Sequence, residues 1–398
     1  MIFIEEALQI IIDNAQKFEI ETVPLHLALG RVLAENIYAD RDYPPFNRSA
    51  MDGYACRAED VGRINFFTNI EVIYAGQFPQ NRITEGTCAK IMTGAPVPNG
   101  ANAVIRIEDC DSLNFSSNQV KFNLKEAKDG LNIATQGQDC IAGSKIIEMS
   151  SKISTAVYST LAALGKHEVD VYTIPKVVVL STGNEIKPIG ETIEPFQIRD
   201  SNSYSIESFF YKYQIPLFAR HLIGDELSDI ESYINNYSHV DILILSGGVS
   251  MGDADYVPKA LAKCGITCLF HKVQIKPGKP IWFGITKNQK AVFALPGNPF
   301  SVQIALKLFI ETYLSACYGL LTDSHLKLPL LKLKHKKTKF DEFFPCKLTD
   351  VGQTGLVPVQ FNGSGDISAM LDTDGFARHH RDTDHLEYGE ILDFIFWY

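Results

Sequence analysis

Residues 241–248, DILILSGG, run from an apolar strand directly into a glycine-rich turn. The apolar residues of Asp241–Leu245 do not alternate with polar ones, which is typical of a strand buried on both faces of a sheet. Lys176–Leu180 and Ala291–Leu295 have the same texture, and stretches with a helical pattern separate the three. This alternation predicts a doubly wound, parallel-type α/β sheet that is covered by helices on both faces.

Further helices and strands complete this α/β unit. Asp200, Ser201 and Asn202 precede one helical stretch, and any of them is a suitable N-cap. Asn298 followed by Pro299 marks another helix start, with asparagine as N-cap and proline at the first helical position. The predicted helices are 200–213, 225–237, 257–264 and 299–318, and the predicted extended segments are 216–222 and 281–285.

The rest of the chain has a different texture. Residues 45–140 are rich in glycine, proline and asparagine, and short β-branched runs at 71–74 and 103–107 predict strands. Short strand patterns return near the C-terminus and predict a small barrel-like β domain. We expect four domains: a helical and extended domain of 1–44 with 141–175, a β-rich domain of 45–140, the α/β domain of 176–325, and a C-terminal β domain of 326–398.

Composition excludes some functions. The 398-residue chain has 37 basic and 47 acidic residues and a formal net charge of −10, which argues against a general nucleic-acid-binding protein. None of the eight cysteines forms a CxxC pair, so reduced thiols are expected. The N-terminus carries acids where a signal peptide needs bases, and no apolar run reaches the about 18 residues of a membrane span. We expect a soluble cytoplasmic protein.

Loops rich in small and functional residues follow the three apolar strands. They are STGNE at 181–185, SGGVSMGDADY at 246–256 and PGNP at 296–299. The carboxyl ends of parallel strands meet at one edge of a sheet, where open α/β domains bind their ligands. A single glycine-rich loop also serves a plain turn, but three such loops at one edge predict a ligand site.

The residue types at this edge favour an oxyanion ligand. A helix start at Asn298–Pro299 presents backbone N–H groups and the positive end of the helix dipole. Gly247–Gly248 lets backbone N–H groups approach a phosphate closely. Lys276 and Lys279 add two ammonium groups on the proline- and glycine-stiffened loop IKPGKP. Seven lysines and three aspartates give residues 241–300 a charge of +4 within a chain of −10.

Carboxylates supply the other half of the predicted site. Glu185, Asp253 and Asp255 would project from the same edge, and acids beside a phosphate usually indicate a bound Mg²⁺. Asp253 and Asp255 could also simply cap the helix that begins near residue 257, and for Asp253 the two interpretations are equally supported. The chain has no GxxxxGKS/T loop and no GxGxxG after a strand, so neither a P-loop NTPase nor an ordinary dinucleotide dehydrogenase is supported.

Two polar clusters have plainer interpretations. The basic run Lys332–Lys339 is typical of the solvated face of a strand, although a patch for an acidic partner would look similar. Arg378–His385 suggests metal ligands, but its spacing matches no standard metal site and its polarity favours a solvated loop. The loops at 47–55 and 91–98 exceed what turns require, because they also carry a carboxylate at Asp52 and a hydroxyl at Thr93.

Seven motifs follow one another in a fixed order along the chain. They are SAMDGYA at 49–55, MTGAPVP at 92–98, STGNE at 181–185, DSN at 200–202, SGGVSMGDADYVP at 246–258, IKPGKP at 275–280 and LPGNP at 295–299. This set resembles the MoeA-type molybdopterin molybdenumtransferases over about residues 5–395. Molybdopterin adenylyltransferases share only the α/β unit, so the extra β domains favour the molybdenum-inserting branch.

The resemblance implies an elongated homodimer of four-domain subunits, with an active-site cleft that the partner subunit helps to build. It implies adenylylated molybdopterin and molybdate as substrates, Mg²⁺ as the cofactor, and molybdenum cofactor and AMP as products. Contact with a partner adenylyltransferase is a further expectation, whereas neither nucleic acid nor membrane is an expected partner.

The resemblance also implies roles for individual residues. Lys276 and Lys279 would neutralise phosphate or molybdate charge, and Ser364 would contact ligand from the C-terminal domain. Asp52 and Thr93 would act across the dimer cleft. The expected catalytic residues are Asp52, Thr93, Glu185, Lys276 and Lys279; the expected substrate-binding residues are Asp139, Asp225, Gly247, Gly248, Ser250, Asn298, Pro299 and Ser364; the expected metal ligands are Glu185 and Asp255.

Two positions depart from the family pattern. Asn184 stands where the family usually has aspartate, which removes a carboxylate and is expected to weaken metal binding. Pro345 stands where the C-terminal domain usually offers arginine in an F-x-R context, so Lys347 or the basic run Lys332–Lys339 would have to substitute for it. These departures put the affinities for metal and molybdate in question but leave the fold unaffected.

Two other functions are compatible with parts of the sequence. A molybdopterin adenylyltransferase would consume ATP with free molybdopterin, and the extra β domains argue against it. A scaffold protein of the same fold would use a long disordered linker and a second fused domain, and we expect neither here. The sequence does not distinguish molybdate from tungstate, nor does it identify the enzymes that receive the product.

Overall fold

A computed structural model describes residues 1–112, 118–249, 256–320, 325–336, 338–349, 352–368 and 370–397. The chain forms two compact units. The larger unit comprises Met1–Ala34, Ser150–Thr155 and Glu168–Tyr398, and the smaller unit comprises Glu35–Met149 and Ala156–His167. The boundaries of the four domains expected from the sequence stay a prediction.

Helices occur where the sequence patterns of the α/β unit predict them. The α-helices of the described chain are α1 (Ile4–Asp13), α2 (Thr155–Ala163), α3 (Asn202–Lys212), α4 (Leu227–Asn236), α5 (Val257–Lys263) and α6 (Pro299–Tyr318). A π-helical turn interrupts α6 at Leu306–Ile310, and 3-10 turns occupy Leu25–Leu27, Ala58–Asp60 and Ile107–Asp109.

The strands of the described chain follow one another in three groups. The first group is β1 (Ile20–Pro24), β2 (Ile37–Tyr38), β3 (Arg48–Ser49), β4 (Gly53–Cys56), β5 (Phe67–Ile73), β6 (Thr87–Ile91), β7 (Ala103–Arg106), β8 (Cys110–Ser112), β9 (Gln119–Phe122), β10 (Ile133–Ala134) and β11 (Lys145–Ile147). The second group is β12 (Glu168–Tyr172), β13 (Val177–Thr182), β14 (Ile186–Lys187), β15 (Ile198–Arg199), β16 (Leu217–Ile223), β17 (Ile242–Ser246), β18 (Thr267–His271), β19 (Ile275–Lys276), β20 (Trp282–Ile285) and β21 (Ala291–Leu295). The third group is β22 (His325–Pro329), β23 (Lys334–His335), β24 (Asp341–Thr349), β25 (Gly355–Pro358), β26 (Gly375–His379), β27 (His385–Leu386) and β28 (Ile391–Phe396).

The central sheet of the larger unit has six strands in the order β16–β13–β17–β21–β20–β18. The first four run parallel, and every residue of β13, β17 and β21 is buried, as their unbroken apolar composition predicts. The sheet differs from the expected parallel arrangement at β20, which runs antiparallel to both of its neighbours, β21 and β18. Residues 286–290 alone join β20 to β21, and so short a connection cannot make a parallel crossover.

Successive residues of the buried strands face opposite helical layers. Val177 and Val179 of β13 pack into one core with Phe210 of α3 and the side chains of α6. Val178 and Leu180 pack into a second core with side chains of α4 and α5. Each fully buried aliphatic side chain contributes about 1.5–3 kcal/mol, so covering both faces of the sheet stabilises the domain.

α6 lies in the core of the larger unit. By length and composition alone, its 20 residues, with a mean hydropathy of 1.2 in the most apolar window, would suffice to cross a membrane. In the structure, however, 78% of that window is buried inside the protein. The apolar surface of α6 is therefore used for packing against the rest of the domain, as in any helix that is hydrophobic all round and buried in a protein core.

The C-terminal segment forms a second six-stranded sheet with the order β19–β24–β26–β28–β22, and β25 pairs with β24. Its edge strand β19 comes from the α/β segment and pairs in parallel with β24, so that Lys276 lies opposite Glu342. This pairing ties the lysine-bearing loop to the C-terminal sheet. Leu330, Phe344 and Phe394 belong to the buried core of this sheet.

The smaller unit contains a six-stranded sheet with the order β7–β4–β6–β5–β9–β8. The strands predicted at 71–74 and 103–107 overlap β5 and β7. All eight cysteines of the chain are free thiols. Burial raises the pKa of the Cys56 thiol and raises that of Cys88 to about 12, which keeps both protonated and unreactive at neutral pH.

Candidate active site

Two pockets lie beside the carboxyl edge of the central sheet, and Asn298 lines both. The glycine-loop pocket has a volume of about 790 Å³ and is lined by Thr182, Gly183, Glu185, Ile186, Ile193, residues 197–202, Asp225, residues 246–248, residues 297–299, Gly365 and Ile367. The lysine pocket has a volume of about 510 Å³ and is lined by residues 275–280, Pro296, Asn298, Ser301, Thr338, Phe340, Glu342, Phe343, Phe361, Gly363 and Ser364.

Strand register brings the predicted loops together at the glycine-loop pocket. Ser181 lies opposite Ser246, and Ser246 lies opposite Leu295, so the residues that follow them meet at one edge. Gly247 donates its backbone N–H to the Leu295 carbonyl at 3.1 Å and has a φ of +99°. A Cβ here would overlap the carbonyl oxygen of Thr182, so this turn requires glycine.

Glu185 and Asp225 place two carboxylates on the glycine-loop pocket. Asp225 accepts a hydrogen bond from the backbone N–H of Asn184 at 3.0 Å, and the Asn184 side-chain oxygen accepts one from the Asp225 N–H at 3.3 Å. An aspartate at position 184 would keep this acceptor but would place a second negative charge beside Asp225. Asn184 therefore avoids a repulsion with Asp225 that an aspartate would introduce.

The start of α3 beside this pocket is capped by a residue outside the helix. Asp200 accepts hydrogen bonds from the backbone N–H of Ser203 at 3.1 Å and from its hydroxyl at 2.6 Å. Ser201 occupies the N-cap position without making a side-chain capping bond. Of the three capping candidates in the sequence, Asp200 therefore satisfies the helix, and Asn202 is available for another purpose.

Asn202 links the loops that follow two neighbouring strands. Its amide nitrogen donates to the Ser246 hydroxyl oxygen at 3.0 Å and to the Gly297 carbonyl at 2.7 Å. The sequence marks Asn202 as a candidate helix cap and as part of the DSN motif, but Asn202 is not among the expected site residues. The signal that could have found it was the surplus of three capping side chains for one helix start.

Lys276 and Lys279 line the lysine pocket with exposed side chains. The Lys279 Nζ lies 5.4 Å from the ring centre of Phe340, so a cation–π contact holds it against the pocket wall. Glu342 also lines this pocket, but its carboxylate is ion-paired with Lys334 at 2.8 Å. The ammonium groups of Lys276 and Lys279 therefore give the pocket a positive character.

Asn298 and Ser364 meet at the boundary of the two pockets. The Asn298 amide nitrogen donates to the Ser364 hydroxyl oxygen at 2.8 Å, and the Ser364 carbonyl accepts the backbone N–H of Phe300 at 3.0 Å. The expectation of freely presented N–H groups at the start of α6 is therefore wrong for Phe300, and Pro299 has no N–H to offer. The side chains of Asn298 and Ser364 carry the polar groups at this point instead.

The basic run Lys332–Lys339 is not simply a solvated strand face. Lys334 is half-buried in its ion pair with Glu342, and Lys336 is buried with its Nζ donating to the His380 carbonyl. In the described part of the run, Lys334 and Lys336 therefore bind other groups of the protein and do not only face solvent.

Pro345 lies within β24, where it is buried. Lys347, the other expected substitute for the family's arginine, is exposed and does not line the lysine pocket. Thr338 and Phe340 contribute the pocket wall on this side. The cations of the lysine pocket therefore come from the loop 275–280.

The prediction that residues 378–385 form a solvated loop is wrong for the two arginines of this segment. Asp341 is fully buried, and Arg378 and Arg381 each approach it to 3.0 Å. Both arginines also pair with Glu5 of α1. A fully buried carboxylate needs such partners, because leaving it unpaired would be strongly destabilising.

The smaller unit holds three residues of the expected site. Asp52 is exposed, and its Oδ1 accepts hydrogen bonds from the backbone N–H of Thr93 at 2.7 Å and from the Thr93 hydroxyl at 2.8 Å. The hydrogen bond from the Thr93 backbone and, to a lesser extent, the one from its hydroxyl lower the pKa of Asp52 and keep its carboxylate ionised. Asp139 is exposed, and its backbone N–H donates to the Tyr43 carbonyl at 2.9 Å.

Three residues named from the sequence lie outside the described residues: Ser250, Asp253 and Asp255. The described chain stops at Val249 before this segment and resumes at Tyr256, directly before α5. A metal-binding role for Asp255 and the alternative of helix capping both stay predictions.

Family models match nearly the whole chain. They are the MoeA N-terminal region (domain I and II) at residues 2–165, a probable molybdopterin binding domain at residues 178–316, and the MoeA C-terminal region (domain IV) at residues 327–397. Each match covers a stretch that carries family motifs or forms a separate sheet in the structure.

Individual relatives agree with the models. The molybdopterin molybdenumtransferase of Synechocystis sp. is 32% identical over 100% of both chains, and that of Staphylococcus epidermidis is 30% identical over 96% of this chain and 92% of its own. The crystal structure of the molybdopterin biosynthesis MoeA protein from Pyrococcus horikoshii OT3 matches with a TM-score of 0.85 and 28% identity over 100% of both chains. The chain therefore belongs to the MoeA family, the molybdopterin molybdenumtransferases of molybdenum cofactor biosynthesis.

Proposed function

We propose that this transferase inserts molybdenum from molybdate into adenylylated molybdopterin and releases AMP with the help of Mg²⁺. The observation that carries the proposal is a pair of pockets that both include Asn298 and differ in their charged side chains. One presents ammonium groups, and the other presents carboxylates beside a glycine turn. An oxyanion substrate and a magnesium-bound nucleotide need these two environments, respectively.

The lysine pocket is the proposed molybdate site. Lys276 and Lys279 would neutralise the dianion, and the hydrogen-bonded Ser364 hydroxyl and Asn298 amide, which also line the pocket, would orient it. Charge-assisted hydrogen bonds from ammonium groups to an oxyanion are about twice as strong as neutral ones. These two lysines would therefore determine the affinity for molybdate.

The glycine-loop pocket is the proposed site for the adenylate end of the substrate. Gly247 and Gly248 have no side chains, which lets the backbone approach a phosphate closely. A Cβ at either position would also crowd Thr182. Its volume of about 790 Å³ is within the range that small-molecule and cofactor sites usually have.

Glu185 and Asp225 are the described residues that would hold Mg²⁺. Carboxylate oxygens are the ligands that Mg²⁺ prefers, and this ion usually binds through one or two of them together with substrate phosphates and water. Asp255 would be a further ligand from outside the described residues. When bound, Mg²⁺ supplies electrostatic stabilisation of the phosphate charge that develops during cleavage.

In the release of AMP, a water oxygen bonds to one phosphorus of the phosphoanhydride while the bond from that phosphorus to the bridging oxygen breaks. The bridging oxygen leaves with the other phosphate, and the attacking water gives up a proton. Glu185, which is exposed at the glycine-loop pocket, would accept that proton. Asp225, held by the Asn184 N–H, would orient the nucleotide's metal ion. The phosphate and molybdate chemistry thus takes place in two pockets that share Asn298.

The smaller unit would complete the site of a second copy of the chain. Asp52 and Thr93 form an exposed pair whose orientation is fixed by two hydrogen bonds, as a group that acts on a partner's ligand requires. Homodimerisation, contact with the adenylyltransferase that makes the substrate and a cytoplasmic location belong to the same proposal and derive from the family resemblance.

The proposal is tested by mixing purified protein with adenylylated molybdopterin, molybdate and Mg²⁺ and measuring AMP by chromatography. We expect AMP release that depends on both molybdate and Mg²⁺. Release of AMP at the same rate without molybdate, or no release with every component present, would contradict it. Consumption of ATP with free molybdopterin would instead favour an adenylyltransferase.

A further inference from the structure

The lysine pocket holds a carboxylate close to the cations that are proposed to bind the oxyanion. Among the described residues that line this pocket, Glu342 is the one with a carboxylate. Strands β19 and β24 pair in parallel, with Lys276 opposite Glu342, and both side chains line the pocket. Neighbouring strands lie only about 4.8 Å apart. A carboxylate without another partner at this position would therefore compete with a bound anion for the Lys276 ammonium group.

Glu342 has a different partner in the structure. Lys334 of β23 places its Nζ 2.8 Å from Oε1 of Glu342, and each of the two side chains is 14% exposed. The same Nζ lies 4.4 Å from the ring centre of Phe344, which is fully buried. Within the residues that the structure describes, Lys276 makes no ion pair, although Glu342 is its neighbour on the adjacent strand. Glu342 is therefore paired with a cation that does not line the pocket.

The group on the other side of Glu342 supplies no positive charge. His379 of β26 lies opposite Glu342 and is fully buried. Burial, and to a lesser extent the charges of Lys334 and Lys336, lower the pKa of its ring to about 4, so the ring is neutral at pH 7. Loss of Lys334 would leave a largely buried carboxylate without its partner, which is costly. The nearest replacement across the ladder is the ammonium group of Lys276.

We infer that Lys334 is a positioning residue of the lysine pocket, which holds the Glu342 carboxylate away from Lys276 so that the Lys276 ammonium group stays available to an oxyanion. Lys334 acts through Glu342 and does not itself contact the ligand. The inference rests on the proposed function, because the oxyanion is the molybdate assigned to this pocket. It also gives the basic run Lys332–Lys339 a role that needs no contact with substrate.

The first experiment measures molybdate binding by calorimetry. Lys334→Met keeps the length of the side chain and removes its charge, and it should weaken molybdate binding by about tenfold, because Glu342 then pairs with Lys276. Adding Glu342→Gln to this variant should restore the affinity to within about twofold of the wild type, since a neutral amide does not hold Lys276. AMP affinity, which a general loss of structure would lower, should stay unchanged in both variants.

The double variant distinguishes positioning from direct binding. If Lys334 itself contacted molybdate, the affinity would stay low after Glu342→Gln is added. Lys327→Met is the matched control, because it removes the same charge from the same sheet. The partner of Lys327 is Asp393, at 2.9 Å, and neither residue lines the lysine pocket. This control should bind molybdate as the wild type does.

The second experiment observes Lys276 without any ligand. Acetic anhydride modifies neutral amines, and an ion pair keeps an amine protonated. Mass spectrometry after limiting modification gives the rate at Lys276 relative to the exposed Lys287. We expect this rate to fall by about fivefold in Lys334→Met and to return to the wild-type value when Glu342→Gln is added.

The single variant Glu342→Gln carries the test if Lys334→Met fails to fold. Its molybdate affinity should equal or exceed that of the wild type, and weaker binding would overturn the inference. Wild-type affinity or unchanged Lys276 reactivity in Lys334→Met would also overturn it, as would a double variant that stays weak. Molybdate-dependent AMP release by the wild type is scored separately. Its absence, together with the expected Lys276 reactivities, would contradict the proposed function and still support the charge arrangement.

Discussion

The lysine pocket and the glycine-loop pocket share Asn298 but differ in how they are built. The lysine pocket is formed by side chains, with Lys276 and Lys279 projecting from a loop that pairs with the C-terminal sheet. The glycine-loop pocket is formed by backbone, with Gly247 in a conformation that other residues rarely adopt. The charge of one pocket can therefore be changed by mutation without altering its shape, whereas the other depends on a backbone conformation.

This difference shows how the positive charge of residues 241–300 is distributed between the two pockets. The +4 of residues 241–300 is not spread evenly over the edge of the sheet. Of the seven lysines, Lys276 and Lys279 line the lysine pocket, while the carboxylates of Glu185 and Asp225 line the neighbouring pocket. One site for one polyanion would not need this separation, but two sites for molybdate and a metal-bound nucleotide do.

The largest expected effect is that of removing a cation from the lysine pocket. Lys279→Ala should lower kcat/KM for molybdate by about 30- to 100-fold, since it deletes a charge-assisted hydrogen bond to the dianion, and AMP affinity should not change. Steady-state AMP release at varied molybdate measures this. Lys287→Ala, an exposed lysine outside both pockets, is the control with the same charge change. Equal losses in the two variants would contradict a local role for Lys279.

The next effect concerns the backbone of the glycine-loop pocket. Gly247→Ala should weaken AMP binding by about tenfold or more, because a left-handed alanine costs about 1–2 kcal/mol and its Cβ displaces Thr182. Molybdate binding should persist. Calorimetry with each ligand measures both.

Gly190→Ala is the corresponding control, since no atom lies within 4 Å of a Cβ at that position. The variant is expected to bind AMP and molybdate as the wild type does. If Gly247→Ala kept full AMP affinity, the glycine turn would not be the binding surface.

A smaller effect is expected from Asn184→Asp. The new carboxylate can still accept the Asp225 N–H, so the loop should keep its form, while the added charge attracts a cation. The Mg²⁺ concentration for half-maximal AMP release should fall by about two- to fivefold, a modest change for one partly exposed charge. Asn36→Asp, in the smaller unit, is a control with the same added charge. An unchanged Mg²⁺ requirement would separate position 184 from the metal.

The smallest effect concerns the sheet that carries the wall of the lysine pocket. His379 lies opposite Glu342 and is fully buried. Its burial, and to a lesser extent the positive charges of Lys334 and Lys336, lower the pKa of its ring to about 4. Between that pH and the ordinary value of about 6.5, the unfolded chain binds more protons than the folded one. Stability should therefore fall as the pH drops through this window.

His379→Leu should remove part of this acid sensitivity, about 1 kcal/mol between pH 7.5 and pH 5, as judged from unfolding midpoints in urea. His380→Gln, which changes an exposed neighbouring histidine, should leave the sensitivity intact. A wild-type pH dependence in His379→Leu would show that the ring titrates normally.

The central sheet could be predicted from the sequence because the burial of apolar side chains dominates there. β13, β17 and β21 consist of apolar residues that must be buried on both faces, and the covering helices have their own period and caps. The edge strand β18 was not predicted, because Thr267 and Cys268 at its start are exposed and give a weak apolar pattern.

The site could be predicted only in part. Lys276, Lys279 and the Gly247 turn have local signals in charge and in glycine placement. Asn202 does not, because its role depends on Gly297, which is distant in the sequence and is brought close only by the sheet. The burial of Arg378 and its neighbours likewise depends on a contact with Glu5, at the other end of the chain, that no local pattern encodes.

The most direct test of the two-pocket account is a calorimetric titration of molybdate into the protein with and without saturating AMP and Mg²⁺. The account predicts that one molybdate binds per chain in both cases, and that Lys279→Ala loses molybdate binding while it keeps AMP binding. Displacement of molybdate by AMP, or an equal loss of both ligands in Lys279→Ala, would show that the two pockets serve a single ligand and would contradict the account.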